Sequence, residues 1–318
     1  MTPLLEIRDL KKHFSVAKNK TLHAVDGINL EIYPNEILGL VGESGCGKST
    51  LGRTLAGLYE KTSGEVLYKG QRLPQKYKVS DFVHLSREIQ MIFQDPYSSL
   101  NPRMTVREII AEGPRLAGMW KSEEITEKVK VWLERVGLAA DHASRYPHEF
   151  SGGQRQRLGI ARALAMEPKF VICDEPISAL DVSIQAQIIN LLAELKNKFG
   201  LTLLFIAHDL SMVRYVSNRM AVMYLGSIVE LGISDEVFFS PQHPYTQLLI
   251  GSNPEPDPSK EKQRVHVDFQ GEIPTPVNLG VGCRFAGRCP KVGDRCRAET
   301  PLLRQTTKNH FVACHFVE

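Results

Sequence analysis

Nine consecutive residues, Gly42–Thr50, read GESGCGKST and combine three glycines, one lysine and three hydroxyls. Glycines at 42, 45 and 47 let backbone N–H groups turn inward around an anion, Lys48 suits the β- and γ-phosphates of a nucleotide, and Ser49 suits Mg²⁺. Ser44, Cys46 and Thr50 complete this phosphate loop. A second chemistry closes the apolar run FVICDEP, where Asp174 and Glu175 offer one carboxylate for Mg²⁺ and another for polarising an attacking water. A third sits in the last 36 residues, which hold Cys283, Cys289, Cys296 and Cys314, whereas the preceding 282 hold only Cys46 and Cys173. The gaps between the four, five, six and seventeen residues, are looser than those of common zinc ribbons. Spacing alone leaves open an iron–sulfur cluster, a zinc ion with His310 or His315 as substitute ligands, and free thiols.

Strands and helices must position these groups. Ile37–Val41 is a short apolar run of the kind that forms a strand buried on both faces, and a helix beginning near Lys48 would add its positive end to the phosphate loop. Phe170 to Asp174 reads as a second buried strand, with Glu175 on the opposite face of the extended chain from Asp174. A helix is predicted from about Ser183 to Phe199, where Ile184, Ile188, Leu191, Leu192, Leu195 and Phe199 form one stripe before Gly200. Another follows Ser122, with Ile125, Val129, Trp132, Leu133 and Val136 at helical spacing before Gly137. Cys46 and Cys173 read as packing residues. The segment EPDPSKEKQR, residues 255–264, reads as a linker to the cysteine-rich tail.

Composition sets the outer bounds. With 318 residues, 42% of them hydrophobic, the chain is long enough for one large domain and an appendage. A net charge of +3 without long basic runs gives little support to nucleic-acid binding. The N-terminus MTPLLEIRDLKKHF lacks the marks of a signal peptide, and no apolar run reaches the length of a membrane span. A cytoplasmic protein is expected, where clustered cysteines are metal ligands more often than disulfides.

The phosphate loop, Gln94 in MIFQDP, SGGQRQR at Ser151–Arg157, VICDE, SALD at Ser178–Asp181 and His208 in LLFIAHD occur in the order that the ATP-binding cassette ATPases use. The chain resembles that family over about residues 4 to 250. The resemblance implies an α/β fold of the P-loop NTPase class: a RecA-like parallel sheet, an antiparallel β subdomain and a helical signature subdomain at about 95–165. It implies one ATPase domain over 1–253 and a cysteine-rich extension over 254–318. It also implies head-to-tail pairing of two cassettes, with ATP between the loop of one and Ser151, Gly152, Gly153 and Gln154 of the other. Glu175 is then the catalytic carboxylate, Gln94 contacts Mg²⁺ or the water, Asp174 and Ser49 serve Mg²⁺, His208 holds the γ-phosphate, Asp181 communicates across the dimer, and Phe14 stacks on adenine in place of the more usual tyrosine. Singly, each of these has an ordinary packing or hydrogen-bonding role as an alternative.

GESGCGKSTLGR, FQDPYSSLNPR, HPYT and a tail opening GCRFAGRCP are similar to the ATPase subunits of oligopeptide and dipeptide importers, especially the second of their two ATPases. In that group the tail cysteines can carry a four-iron, four-sulfur cluster, which implies Cys283, Cys289, Cys296 and Cys314 as its ligands, with zinc the alternative. The implied partners are a second ATPase subunit, either a paralogue or, in isolation, a second copy, together with two membrane permeases and, indirectly, an extracytoplasmic solute-binding protein. The implied location is the cytoplasmic face of the membrane. A soluble cassette ATPase of DNA repair or translation is the rival reading. It is disfavoured because the sequence shows one cassette and no heptad array.

Overall fold

The structure is a computed structural model that describes residues 2–178, 180–252 and 274–317. The 255–264 linker, the 253/254 domain boundary and Ala179 of SALD lie outside the described residues. Two compact units emerge, one of residues 1–55, 59–75 and 207–318, the other of residues 56–58 and 76–206.

The first unit contains an antiparallel sheet in which Lys20–Ile32, Leu5–Ala17, Ser63–Tyr68 and Gln71–Arg72 lie side by side in that order. Apolar residues set its register: Leu5, Ile7 and Leu10 pair across from Ile32, Leu30 and Ile28, and all six are buried, a register shift between Ile7 and Leu10 taking the place of strict alternation. The second set of strands in this unit starts from Ile37–Val41, every residue of which is buried, as expected of a strand covered on both faces. It runs parallel to Arg219–Tyr224, whose antiparallel neighbour is Ser227–Ile233.

The cysteine-rich tail extends this array. His310–Val312 adds antiparallel to Ser227–Ile233, and Arg304–Thr307 adds outside it. The addition is anchored by a buried polar pair, His310 Nε2 to Glu230 Oε1 at 2.7 Å, and Glu230 also accepts from the backbone N–H groups of Gln242 and His243. A carboxylate with three partners is satisfied despite full burial. An aromatic cluster does the rest: Phe285 of the tail packs against Tyr224, Tyr245 and His243. The tail therefore shares a core with the strands it joins, which a segment of its size needs.

In the second unit three parallel strands, Ile89–Ile92, Phe170–Asp174 and Thr202–Ile206, carry the carboxylate motif. The helix read from Ser183 runs Val182–Phe199, with Ile188, Leu191, Leu192 and Leu195 buried and Gly200 in the left-handed C-cap. The stripe after Ser122 forms the helix Ile125–Arg135, starting three residues later than Ser122, and Glu124 stands at its N-cap. Val106–Leu116 precedes it, started by a capping box between Thr105 and Glu108.

Candidate functional site

The phosphate loop leaves the strand Ile37–Val41 and enters the helix Lys48–Leu55, placing Lys48 at the first helical position. Its ammonium is buried and donates to the carbonyls of Gly42 and Glu43 at 2.7 and 3.0 Å. These are the loop's own acceptors, and phosphate oxygens would replace neutral carbonyls by charge-assisted bonds. Gly47 has φ +109°, and a Cβ there would stand 1.9 Å from the Ala24 carbonyl oxygen, so close backbone approach requires glycine. Ser44 and Gly45 are exposed, while Ser49 and Thr50 are half-buried on the first helical turn. Cys46 is buried, and burial pushes its thiol above the ordinary range, in keeping with a packing side chain. Cys173 is wholly buried, and burial pushes it up to about 12.

Phe14 is half-buried on the antiparallel sheet, edge-to-face with Tyr59 at 5.5 Å, with Lys12 Nζ 4.6 Å from its ring centroid. Tyr59 escaped the sequence reading because it lies in a loop outside every motif. Beside Phe14, His13 and His23 approach opposite oxygens of Asp26 at 2.9 and 3.3 Å, and Arg284 donates to Asp26 at 2.6 Å. Burial alone would raise the Asp26 carboxyl, but Arg284 and the imidazoles hold it below the usual carboxylate range. His208 is exposed, just ahead of Asp209, which caps the helix Leu210–Val216.

In the second unit, Asp174 ends its strand fully buried. Glu175 does not continue the extended chain, as strand alternation predicts. Its φ is +44°, a conformation that costs a non-glycine residue about 1–2 kcal/mol. Hydrogen bonds over-determine it: Glu175 N–H donates to the Ile206 carbonyl, and its own carbonyl accepts from Ser178 N–H and Oγ. Gln94 Nε2 donates to Glu175 Oε2 at 2.8 Å, so two residues 81 positions apart meet.

Ser151 caps the helix Gly152–Leu164 through a reciprocal pair with Gln154. The cap leaves Ser151 exposed at a positive helix end, an arrangement suited to an anion brought from outside the subunit. Gly153 has a packing reason to be glycine, because a Cβ there would meet Ile184 Cγ2 at 2.6 Å. Asp181 is exposed at the start of Val182–Phe199, and its carboxylate makes no capping bond.

The four tail cysteines are reduced thiols, with Cys296 and Cys314 buried and Cys283 and Cys289 half-buried. The Cys283 N–H donates to the Cys296 carbonyl at 2.7 Å. Burial, and after it the neighbouring Cys296, Cys289 and Cys314, push the Cys283 thiol up to about 11. No three of the four sulfurs lie within 4.8 Å of one another, whereas a zinc tetrahedron with bonds of about 2.3 Å needs sulfurs roughly 3.8 Å apart. His310 and His315 are committed elsewhere, to Glu230 and to the Glu299 carbonyl.

The family described as "ABC transporter" matches residues 25–178, and "Oligopeptide/dipeptide transporter, C-terminal region" matches residues 229–296. The putative oligopeptide transport ATP-binding protein YkfD of Bacillus subtilis is 52% identical over 314 residues, covering 98% of this chain and 95% of that protein. The oligopeptide transport ATP-binding protein OppF of Escherichia coli is 51% identical over 320 residues, with the same coverage. The chain belongs to the oligopeptide branch of the ABC transporter ATP-binding subunits.

ATP hydrolysis is the activity of this family, and solved structures agree on the fold of this ABC subunit. The dimeric post-hydrolysis state of the cassette MJ0796, bound to ADP and Pi, superposes with a TM-score of 0.66 at 26% identity, over 72% of this chain and 98% of that one. CbiO1 of Clostridium perfringens, part of a cbiONQ transporter complex, gives 0.66 at 30% identity, over 75% and 91%. Among the described residues no helix is long and apolar enough to cross a membrane.

Proposed function

We propose that this chain is the ATP-hydrolysing, energy-coupling subunit of a binding-protein-dependent importer for oligopeptides or related solutes. The observation that carries the reading is similarity to oligopeptide ATP-binding proteins over 98% of the chain, cassette and cysteine tail together. Repair and translation ATPases would not be expected to share that tail.

The proposed chemistry assigns each residue a task. Lys48 and the inward N–H groups of Gly42–Thr50 bind the phosphates, and Ser49, Asp174 and Gln94 would hold Mg²⁺, which supplies charge neutralisation when bound. Phe14 offers its ring face to adenine. Glu175, fixed by its backbone bonds and by Gln94, orients water for in-line attack on the γ-phosphorus and takes up the proton as the bond to the β,γ-bridging oxygen breaks. His208 steadies the γ-phosphate. Ser151, Gly152, Gly153, Gln154 and Asp181 act on the nucleotide of a second ATPase subunit. The exposure of Ser151 and Asp181 supports that assignment.

The importer reading also needs a surface for the permeases at the cytoplasmic face of the membrane. Within the second unit a cleft of about 400 Å³ is lined by Leu58, Phe82, Met91, Phe93, Ile109 and Leu116, and Leu116 is 72% exposed. An apolar groove of this kind suits a short helix of a permease. Nearby in sequence, Tyr97 is exposed with the Arg155 guanidinium 3.7 Å over its ring, whereas Leu100, three residues on, is a core residue. In the reconstituted transporter, Leu116→Glu or Tyr97→Ala is expected to lower peptide-stimulated hydrolysis roughly tenfold, with ATP affinity and melting temperature unchanged. Full stimulation in both variants would count against this docking surface. No stimulation of the parent transporter by any peptide, with binding protein present, would count against the importer reading.

For the tail, we propose that Cys283, Cys289, Cys296 and Cys314 hold a four-iron, four-sulfur cluster. What supports it is the donor set: Cys283, Cys289, Cys296 and Cys314 are four reduced thiols gathered in one tail, the complement that such a cluster takes, with zinc the alternative. Protein purified without oxygen is expected to be brown and to contain about four irons per chain, and Cys289→Ser to lose both colour and iron. Stoichiometric zinc without iron would overturn the cluster and leave the thiolate site standing.

A further inference from the structure

The tail reaches the phosphate loop. Arg288, between Cys283 and Cys289, donates through Nη1 and Nη2 to the two carboxylate oxygens of Glu43 at 2.8 and 3.1 Å. Glu43 is the second residue of GESGCGKST, and both side chains are largely buried, at 10% and 18% exposure. This is the fork-to-fork geometry in which arginine is strongest, and the Glu43 hydrogen bonds raise the Arg288 guanidinium further above its ordinary value.

Glu43 is held at its other groups too. Its N–H donates to the Tyr245 hydroxyl at 2.9 Å, and its carbonyl accepts from Lys48 Nζ. Tyr245 is fully buried and packs on Phe285, three residues before Arg288, so the brace and its support belong to one cluster. The charge matters as much as the geometry. A carboxylate inside a loop built to receive a triphosphate repels that ligand, and a paired guanidinium cancels the repulsion while fixing the loop's second residue.

We infer that Arg288 is a positioning residue for nucleotide binding: through Glu43 it braces the phosphate loop and neutralises the loop's own carboxylate, which makes the cysteine-rich tail a working part of the ATP site. The inference rests on the nucleotide reading of Gly42–Thr50, which Lys48→Ala tests separately.

The test is a double-mutant cycle on MgATP affinity in the full chain, using a fluorescent ATP analogue, with melting temperature measured alongside. Arg288→Ala leaves Glu43 charged and unpaired, and is expected to weaken MgATP binding about tenfold. The near-isosteric Glu43→Gln removes the charge together with the pairing and should weaken binding less. In the double variant, Glu43→Gln should rescue part of the loss caused by Arg288→Ala, which a purely structural role for Arg288 would not produce. Arg288→Lys should also restore part of the affinity. Wild-type affinity in Arg288→Ala, or additive losses in the double variant, would overturn the inference. If Arg288→Ala unfolds the tail, Glu43→Gln and Arg288→Lys decide alone: wild-type affinity in both overturns it, and weakened affinity at an unchanged melting temperature supports it. Loss of binding in Lys48→Ala with no effect at Arg288 would leave the nucleotide reading intact and remove the brace.

Discussion

The Glu175→Gln variant is expected to bind MgATP as tightly as the parent and to hydrolyse it at least about 100-fold more slowly, the range a positioned general base contributes. Glutamine keeps the volume and one oxygen for Gln94 Nε2, so the contact at 2.8 Å and the left-handed backbone at position 175 survive. What is lost is the capacity to take a proton from water. Lys48→Ala should fail in the opposite manner, losing about 1.5–3 kcal/mol of charge-assisted binding before any chemistry begins. Phosphate release at saturating ATP, compared with equilibrium binding of a fluorescent nucleotide, separates the two. Turnover in Glu175→Gln within a few-fold of the parent would remove Glu175 from its role.

That proposed division of labour can be read from the sequence because phosphate chemistry is carried by contiguous motifs. The strand Ile37–Val41 and the helix start at Lys48 follow directly from an apolar run and a glycine loop, and the structure places both as read. Two features were not legible, for physical reasons. The backbone at Glu175 turns left-handed because Ile206 on the neighbouring strand and the turn through Ser178 hold it there, and an alternation rule has no access to either. The pairing of Glu43 with Arg288 spans 245 residues, joining a variable position of the loop to an unremarked residue between two cysteines. Long-range ion pairs leave no periodic trace. The tail shows the same limit, since its cysteines announced a ligand site while His310 and Phe285, which seat it on the strands, read as ordinary residues. The signal that could have found them was HPYT, whose Tyr245 lies between Phe285 and Glu43.

The glycines of the loop allow the packing and ligand roles to be separated. Gly47→Ala is expected to be the most disruptive single substitution in the loop, because its Cβ would stand 1.9 Å from the Ala24 carbonyl oxygen and 2.8 Å from Met223 Cε at φ +109°. Backbone cannot move aside cheaply, and the strain and overpacking together cost roughly 3–5 kcal/mol. For a protein of this size the melting temperature should fall by roughly 4–8 °C, and nucleotide binding should vanish with the loop's geometry. Gly45→Ala is the matching control. Among the described residues a Cβ at Gly45 meets nothing within 4 Å, so its folded-state cost is the left-handed backbone at φ +79°, about 1–2 kcal/mol. If the open space over Gly45 is where phosphate lies, the alanine methyl obstructs the ligand. MgATP affinity should then fall at least tenfold while the melting temperature drops by no more than a few degrees. Calorimetric melting of both variants, followed by nucleotide titration, reads the difference. Parent-like affinity in Gly45→Ala would mean that the triphosphate approaches the loop from another side, and the assignment of Ser44 and Gly45 to the cradle would fall with it.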